Sequence, residues 1–197
     1  MELPVIDLAH GPVRHPHCCL SLSSTLLTSL TNIALEGNTG ASETRVVLSI
    51  GSGTGLLEAF LAEHARQQLH DSNQTTTLVV EGVEVTQPGT DNVTPNIYLP
   101  EQHSSTVRWS WEVSSRLRDP DVSAVMFVYP RQPALVTQYV KAASELPGAR
   151  AIVWLGPVAD LTDFESCFTG YGRFELRQGL DEETGLEANE MMAVWRR

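Results

Sequence analysis

Val46-Val47-Leu48-Ser49-Ile50-Gly51-Ser52-Gly53-Thr54-Gly55-Leu56-Leu57-Glu58 carries a strand, a turn and a helix start in one uninterrupted run. The β-branched and apolar residues up to Ile50 predict a buried strand over 45–50. Gly51, Gly53 and Gly55 accept positive φ and carry no Cβ to hold a ligand off the backbone. Leu56, Leu57, Phe60 and Leu61, with Ala59, Ala62 and Ala65 between them, then predict a helix over 55–69. A strand that runs through a glycine turn into a helix places free N–H groups at the edge of a doubly wound sheet, where a nucleotide-type ligand binds. The spacing is G-x-G-x-G, with Leu56 where the dinucleotide fingerprint needs Gly or Ala, so a nicotinamide dinucleotide is disfavoured. No lysine follows the glycines, which excludes a phosphate-binding loop of the G-x-x-x-x-G-K-[ST] type.

Downstream, 75–85 is nearly continuous in β-branched residues and predicts a second strand ending at Glu84-Val85. Pro88, Gly89, Pro95 and Pro100 punctuate 86–104, which predicts a long irregular connection with a turn of helix near 100–103. A third strand is expected over 106–111, a polar linker over 116–121, and a fourth strand over 122–129 that ends in Tyr129-Pro130-Arg131. Leu135, Val136, Tyr139, Val140 and Ala143 form one face of a helix over 134–146, closed by Pro147-Gly148. A fifth strand over 149–155 comes next, then a helix over 161–168 with Asp160 as its cap. Strands over 173–178 and 189–196, joined by the acidic hairpin 181–185, complete the pattern. Upstream, Leu20, Leu22, Leu26, Leu27, Leu30 and Ile33 recur at helical spacing and predict a helix over 18–36, stopped by Gly37-Asn38.

A 197-residue chain is long enough for one full-sized core. Its net charge of −11, with the basic residues scattered, argues against a nucleic-acid partner. No apolar run reaches membrane-spanning length, and Met1-Glu2-Leu3-Pro4 does not open a signal peptide. Three cysteines, two of them adjacent, do not build a disulfide framework, so a reducing cytoplasmic compartment is expected. The sequons at Asn73 and Asn92 then mark polar loops only. His15, His17, Cys18 and Cys19 are too crowded along the chain to converge on one tetrahedral ion, so no metal site is expected.

The glycine stretch resembles motif I of the class I S-adenosylmethionine-dependent methyltransferases, V-L-D-I-G-C-G-T-G. Seven of its nine positions match: Val47, Leu48, Ile50, Gly51, Gly53, Thr54 and Gly55. Ser49 replaces the acid and Ser52 the cysteine. Val80-Glu81-Gly82-Val83-Glu84 resembles the family's V-x-G-[VI]-[DE] strand end. The resemblance implies a doubly wound, Rossmann-like α/β sheet of about seven strands, mostly parallel with an antiparallel C-terminal strand. It divides the chain into an N-terminal helical lid segment, 1–44, and the Rossmann-like domain, 45–197.

The resemblance also implies S-adenosylmethionine as cofactor and S-adenosylhomocysteine as product. Ser49, Gly51, Ser52, Gly53 and Gly55 would line its loop, Glu84 and Val85 its ribose, and Trp111 and Glu112 its adenine. Tyr129, at the carboxyl end of the fourth strand, falls beside the reactive methyl. Tyr129, Arg131 and His17 are the candidate catalytic side chains, with His10 and His15 as further bases in the lid. Methyl transfer needs alignment more than acid–base chemistry, so the lack of a catalytic constellation does not oppose this reading. The reading is a small-molecule methyltransferase, and a homodimer whose partner completes the pocket would fit it. The alternative is a methyltransferase-like protein that transfers no methyl group. It would act as a binding or scaffold partner, or use its cleft for a rearrangement or cyclisation.

Overall fold

A computed structural model describes residues 2–36, 44–72, 75–85, 95–109, 111–169, 175–179 (backbone only) and 184–197. The run that opens at Thr44 forms β3 (Thr44–Ile50), in which every residue after Thr44 is buried. Gly51, Gly53 and Gly55 all take positive φ, at 78°, 59° and 78°. Helix α2 (Leu56–Asp71) starts directly after Gly55. The second strand, β4 (Thr77–Val85), lies parallel to β3, from Thr44 opposite Thr77 to Ile50 opposite Val83.

The elements that precede β3 are β1 (Val13–His15), β2 (Cys18–Leu22) and α1 (Ser24–Leu35). Beyond β4 lie β5 (Ser104–Val107), β6 (Val122–Val128), α3 (Pro133–Glu145), β7 (Ala151–Pro157), α4 (Leu161–Phe164), β8 (Glu175–Gly179) and β9 (Glu190–Arg196). Among the described residues the main sheet has seven strands in the order β5-β4-β3-β6-β7-β9-β8. β9 runs antiparallel to both of its neighbours, and the remaining pairs are parallel.

Strand order reverses between β3 and β6, the topological switch point where ligands bind in open α/β sheets. Alternation along β3 feeds two cores. Val46, Leu48 and Ile50 pack with Phe127, Val136, Tyr139 and Trp154 on the α3 face. Val47 packs with Leu26, Leu30, Leu57 and Leu61 on the α1 and α2 face. Each fully buried leucine in these clusters contributes roughly 2 kcal/mol.

Several boundaries differ from expectation. The helix predicted from 18 begins at Ser24, because Cys18–Leu22 pairs with β1 in an antiparallel hairpin (His15 opposite Cys18). Ser23 caps the helix by accepting the Leu26 N–H. β5 ends at Val107, so Trp109 and Trp111 stand beyond the sheet, exposed and stacked at 5.0 Å. β7 starts at Ala151, later than expected, and continues through Gly156-Pro157. Asp160 provides no side-chain cap, and the helix expected over 161–168 narrows after Phe164 into a 3-10 turn, Glu165–Phe168. Another 3-10 turn, Glu101–His103, stands where a helical turn is predicted. The expected polar linker is an ion-pair centre, in which Arg116 bridges Glu81, Asp119 and Asp121. The Gly37-Asn38 stop, residues 86–94 of the irregular connection, and the acidic hairpin tip lie outside the described residues.

Candidate active site

Ile50, the last residue of β3, lies level with Val83 near the carboxyl end of β4 and Phe127 near that of β6. The segments that leave these strands therefore converge on one crevice. From β3 comes the glycine loop, pinned to β4 by the Gly51 N–H donating to Val83 O at 2.8 Å. A Cβ built on Gly51 or on Gly53 meets no atom within 4 Å, so this backbone is bare on the crevice side. Gly55 differs: its Cβ would lie 2.9 Å from Leu99 Cγ and 3.3 Å from Asn96, so this glycine serves packing. From β4 comes Glu84, whose carboxylate accepts the Gly53 N–H at 2.6 Å and the Val85 N–H at 3.2 Å.

Residues 95–99 brace the far side of the loop. Asn96, at φ 54°, donates its N–H to Gly53 O (2.8 Å), and Tyr98 donates to Thr54 O (3.1 Å). Ser52 is buried and donates to Asn96 Oδ1 at 2.6 Å. Ser49 faces inward, fully buried, and donates to Glu58 Oε1 at 2.6 Å. Glu58 sits in the first turn of α2, 1% exposed, and burial pushes its carboxyl up to about 7, with the Glu84 charge adding to the shift. The helix pattern alone does not single out Glu58. The available signal is its place in the first helical turn, where a carboxylate meets free N–H groups.

From β6 comes Tyr129, at φ 48°, a conformation uncommon outside glycine. Its hydroxyl donates to Glu190 Oε1 at 2.7 Å. Burial, with Glu190 beside it, pushes the phenol up to about 12, so it stays protonated at neutral pH. Glu190 opens β9 with its side chain fully buried. It also accepts the Ser21 N–H and hydroxyl from β2 and lies 3.3 Å from Arg14 of β1. Arg14 pairs with Glu187 as well, which holds its guanidinium protonated.

The β1–β2 hairpin thus reaches across the crevice. One end is tied to Glu190, and its turn is tied to the glycine loop through the Thr54 hydroxyl, which donates to His17 O at 2.7 Å. His17 Nδ1 lies 2.5 Å from the Tyr98 hydroxyl, and His15 stands edge-on to His17. Cys18 is half-buried at this turn, and loss of solvent together with the nearby Glu58 pushes its thiol up to about 12.

The structure accordingly brings together Ser49, Gly51, Ser52, Gly53, Glu84, Tyr129 and His17. Val85 ends β4 opposite Val107, half-buried. Trp111 and Glu112 lie in the loop after β5, where the Glu112 carboxylate accepts the Arg108 N–H within its own turn. Arg131 is exposed just before α3, and His10 pairs with Asp7 on the surface. Among the described residues no cluster of His, Cys, Asp and Glu forms a metal site, and no helix is long and apolar enough to cross a membrane.

No protein-family model and no curated protein matches the sequence. Solved structures do match the fold. A Listeria monocytogenes protein assigned to the class I S-adenosylmethionine-dependent methyltransferases superposes with a TM-score of 0.55 at 12% identity, over 95% of this chain and 63% of that one. The methyltransferase domain of bacterial CtHen1 gives 0.53 at 15% identity, over 87% and 97%. An rRNA methylase from Streptococcus thermophilus gives 0.52 at 11% identity, over 87% and 93%. At these identities the likeness is one of fold.

Proposed function

We propose that this chain, which has the Rossmann-like fold of the class I S-adenosylmethionine-dependent methyltransferases, binds S-adenosylmethionine at its glycine loop and transfers the methyl group to a small molecule. The observation that carries the reading is the bare backbone at Gly51 and Gly53, with the Glu84 carboxylate beside it at the switch point. The residues present fit the cofactor. Two glycines at positive φ leave the room a close-lying ligand needs. Glu84 is an acceptor-only group where ribose hydroxyls bring donors.

When bound, the cofactor supplies an electrophilic methyl on a sulfonium, and the chain's own residues have to orient the acceptor and exclude water. Tyr129 suits the first task. Its one hydroxyl hydrogen is donated to Glu190 and its oxygen takes a hydrogen bond from Arg14, so the phenol is held fixed at the end of β6 as a wall against which an acceptor can be oriented. The hairpin suits the second, since Arg14, His17 and Ser21 hold it over the crevice. A roofed crevice and a net charge of −11 both favour a small acceptor over a nucleic acid. The second reading, a methyltransferase-like protein that transfers no methyl group and serves as a binding or scaffold partner or uses its cleft for another reaction, is favoured by one observation: the Glu84 carboxylate already accepts two backbone N–H groups of the protein, which competes with a ribose.

Isothermal titration with S-adenosylmethionine and S-adenosylhomocysteine tests the site. Wild-type protein should bind both, and Glu84→Ala should weaken both by about tenfold or more, the loss of hydrogen bonds to a charged group. No heat with either ligand on folded protein would sink the proposal. Binding without turnover of S-adenosylmethionine across a panel of small amines, phenols and alcohols would favour the second reading.

A further inference from the structure

The second half of α2 borders a polar groove that the proposed reaction leaves without a task. Its volume is about 540 Å³, and it is lined by Thr28 of α1 and by His64, Gln67, Gln68, Asp71 and Ser72 at the end of α2. That volume lies in the range of small-molecule sites. His64 comes more than two turns after Leu56, roughly 12 Å along the helix axis from the glycine loop, and the rest of the α2 lining lies farther on. The groove is therefore separate from the crevice.

Hydrogen bonds already made decide what the groove offers a ligand. The Thr28 hydroxyl donates to Ser24 O at 2.9 Å, so its oxygen accepts from His64 Nε2, also at 2.9 Å. Nε2 therefore carries the ring proton. Burial pushes this imidazole below its usual range, which leaves Nδ1 as an acceptor on a neutral ring. Gln67 turns its amide nitrogen to Glu63 at 2.6 Å, and Gln68 turns its own to Asn32 at 3.1 Å, both outside the groove. Their amide oxygens are the ends left over, and Gln68 Oε1 is buried with no hydrogen-bond partner. The Ser72 hydroxyl donates to Gln68 O at 2.9 Å, so its oxygen too is left to accept. Asp71 adds an exposed carboxylate, with the His70 ring beside it at 3.4 Å. The carboxyl end of α2 adds the negative end of the helix dipole.

Each of these groups accepts, and no lysine or arginine lines the groove. Acceptors gathered around a carboxylate, on a chain of net charge −11, match a ligand that brings positive charge and several N–H donors. We propose that this groove binds a small primary alkylammonium ion, independently of the cofactor reading. A quaternary ammonium carries the same charge and no N–H, so it leaves the acceptors unpaired.

The test compares 1,6-diaminohexane with hexamethonium, which has the same spacer and the same charge but no N–H. Isothermal titration of the full chain at pH 7.5 and low salt should give saturable binding of the diamine, with hexamethonium weaker by about tenfold or more. Asp71→Asn should weaken the diamine about fivefold or more, through loss of a charge-assisted hydrogen bond. Gln68→Met, which removes the orphan oxygen at similar volume, should weaken the diamine without lowering Tm. Glu145→Gln on α3 removes the same charge far along the chain from the groove and should leave the affinity unchanged. No diamine binding by folded wild type would overturn the proposal. So would equal affinity for the two dications, or equal weakening by Asp71→Asn and Glu145→Gln, since either would mean attraction to net charge alone. Each of these outcomes leaves the cofactor reading untouched.

Discussion

Gly82 has little freedom to change. A Cβ there would lie 2.6 Å from Ser52 Oγ and 2.8 Å from Leu99 Cδ1, and would strike Asn96 as well. These atoms brace the glycine loop, so relief requires the brace to move. Gly82→Ala should cost about 1–3 kcal/mol in urea unfolding and also weaken S-adenosylhomocysteine binding. A stable variant with unchanged affinity would mean that the brace is not needed. Glu58 makes the other prediction for a single side chain. Its carboxyl is raised from 4.5 to about 7 on folding. The native state therefore binds more protons than the unfolded state between these values, and stability falls as pH rises through that window. Glu58→Gln should flatten this part of the stability profile and leave the free protein more stable than wild type at pH 8 by about 2–3 kcal/mol. Chemical denaturation at pH 5 and pH 8 measures both.

The β1–β2 hairpin buries Leu20 and Leu22 in the α1–α2 core and is tied down further by its polar fastenings. Glu190, Tyr129 and Arg14 fasten one end, and Thr54 fastens the turn. Glu190→Gln should raise hydrogen exchange across 13–22 while the amides of β3 and β6 stay protected, because one polar cluster is lost and the sheet is intact. Uniform exchange across both regions would show that the hairpin and the sheet open as one unit. Arg116 fastens two other elements in the same way. Its guanidinium reaches the β4 carboxylate Glu81 at 2.7 Å and the Asp121 carboxylate just ahead of β6 at 2.7 Å. These contacts hold the Asp121 carboxyl below its usual range. Arg116→Ala leaves Glu81 and Asp121 facing each other. It should destabilise by roughly 1–3 kcal/mol, read as a lower urea midpoint.

Taken as one molecule, the protein offers a simple overall readout. A ligand that binds only the folded chain stabilises it by mass action, so S-adenosylhomocysteine at a hundred times its Kd should add about 3 kcal/mol and raise Tm, while adenine alone should add little. The strand–glycine–helix run, the second strand ending at Glu84 and the last strand are all legible in the sequence, because each is written locally in β-branched runs, glycines and helical spacing, whereas the antiparallel direction of the last strand is what the family resemblance implies. The start of the first helix is misread for a local reason. Leu20 and Leu22 share a helical frame with Leu26 and Leu27, and Ser23, the cap that separates them, is the available signal. The third strand is expected to run to Trp111, but β5 stops at Val107, where its pairing with β4 ends, so Trp109 and Trp111 stand beyond it.

Hydrophobic period and glycine chemistry act over a few residues. Local composition was therefore enough to say which segments become strands and helices around the glycine loop, and where the acidic end of β4 falls. The surroundings of the crevice come from packing instead. Glu58 behind Ser49, Asn96 against Ser52, and Tyr129 and Arg14 on Glu190 join residues from 9 to 176 positions apart. Such pairings are set by how strands and helices come together in three dimensions, and no local pattern records them.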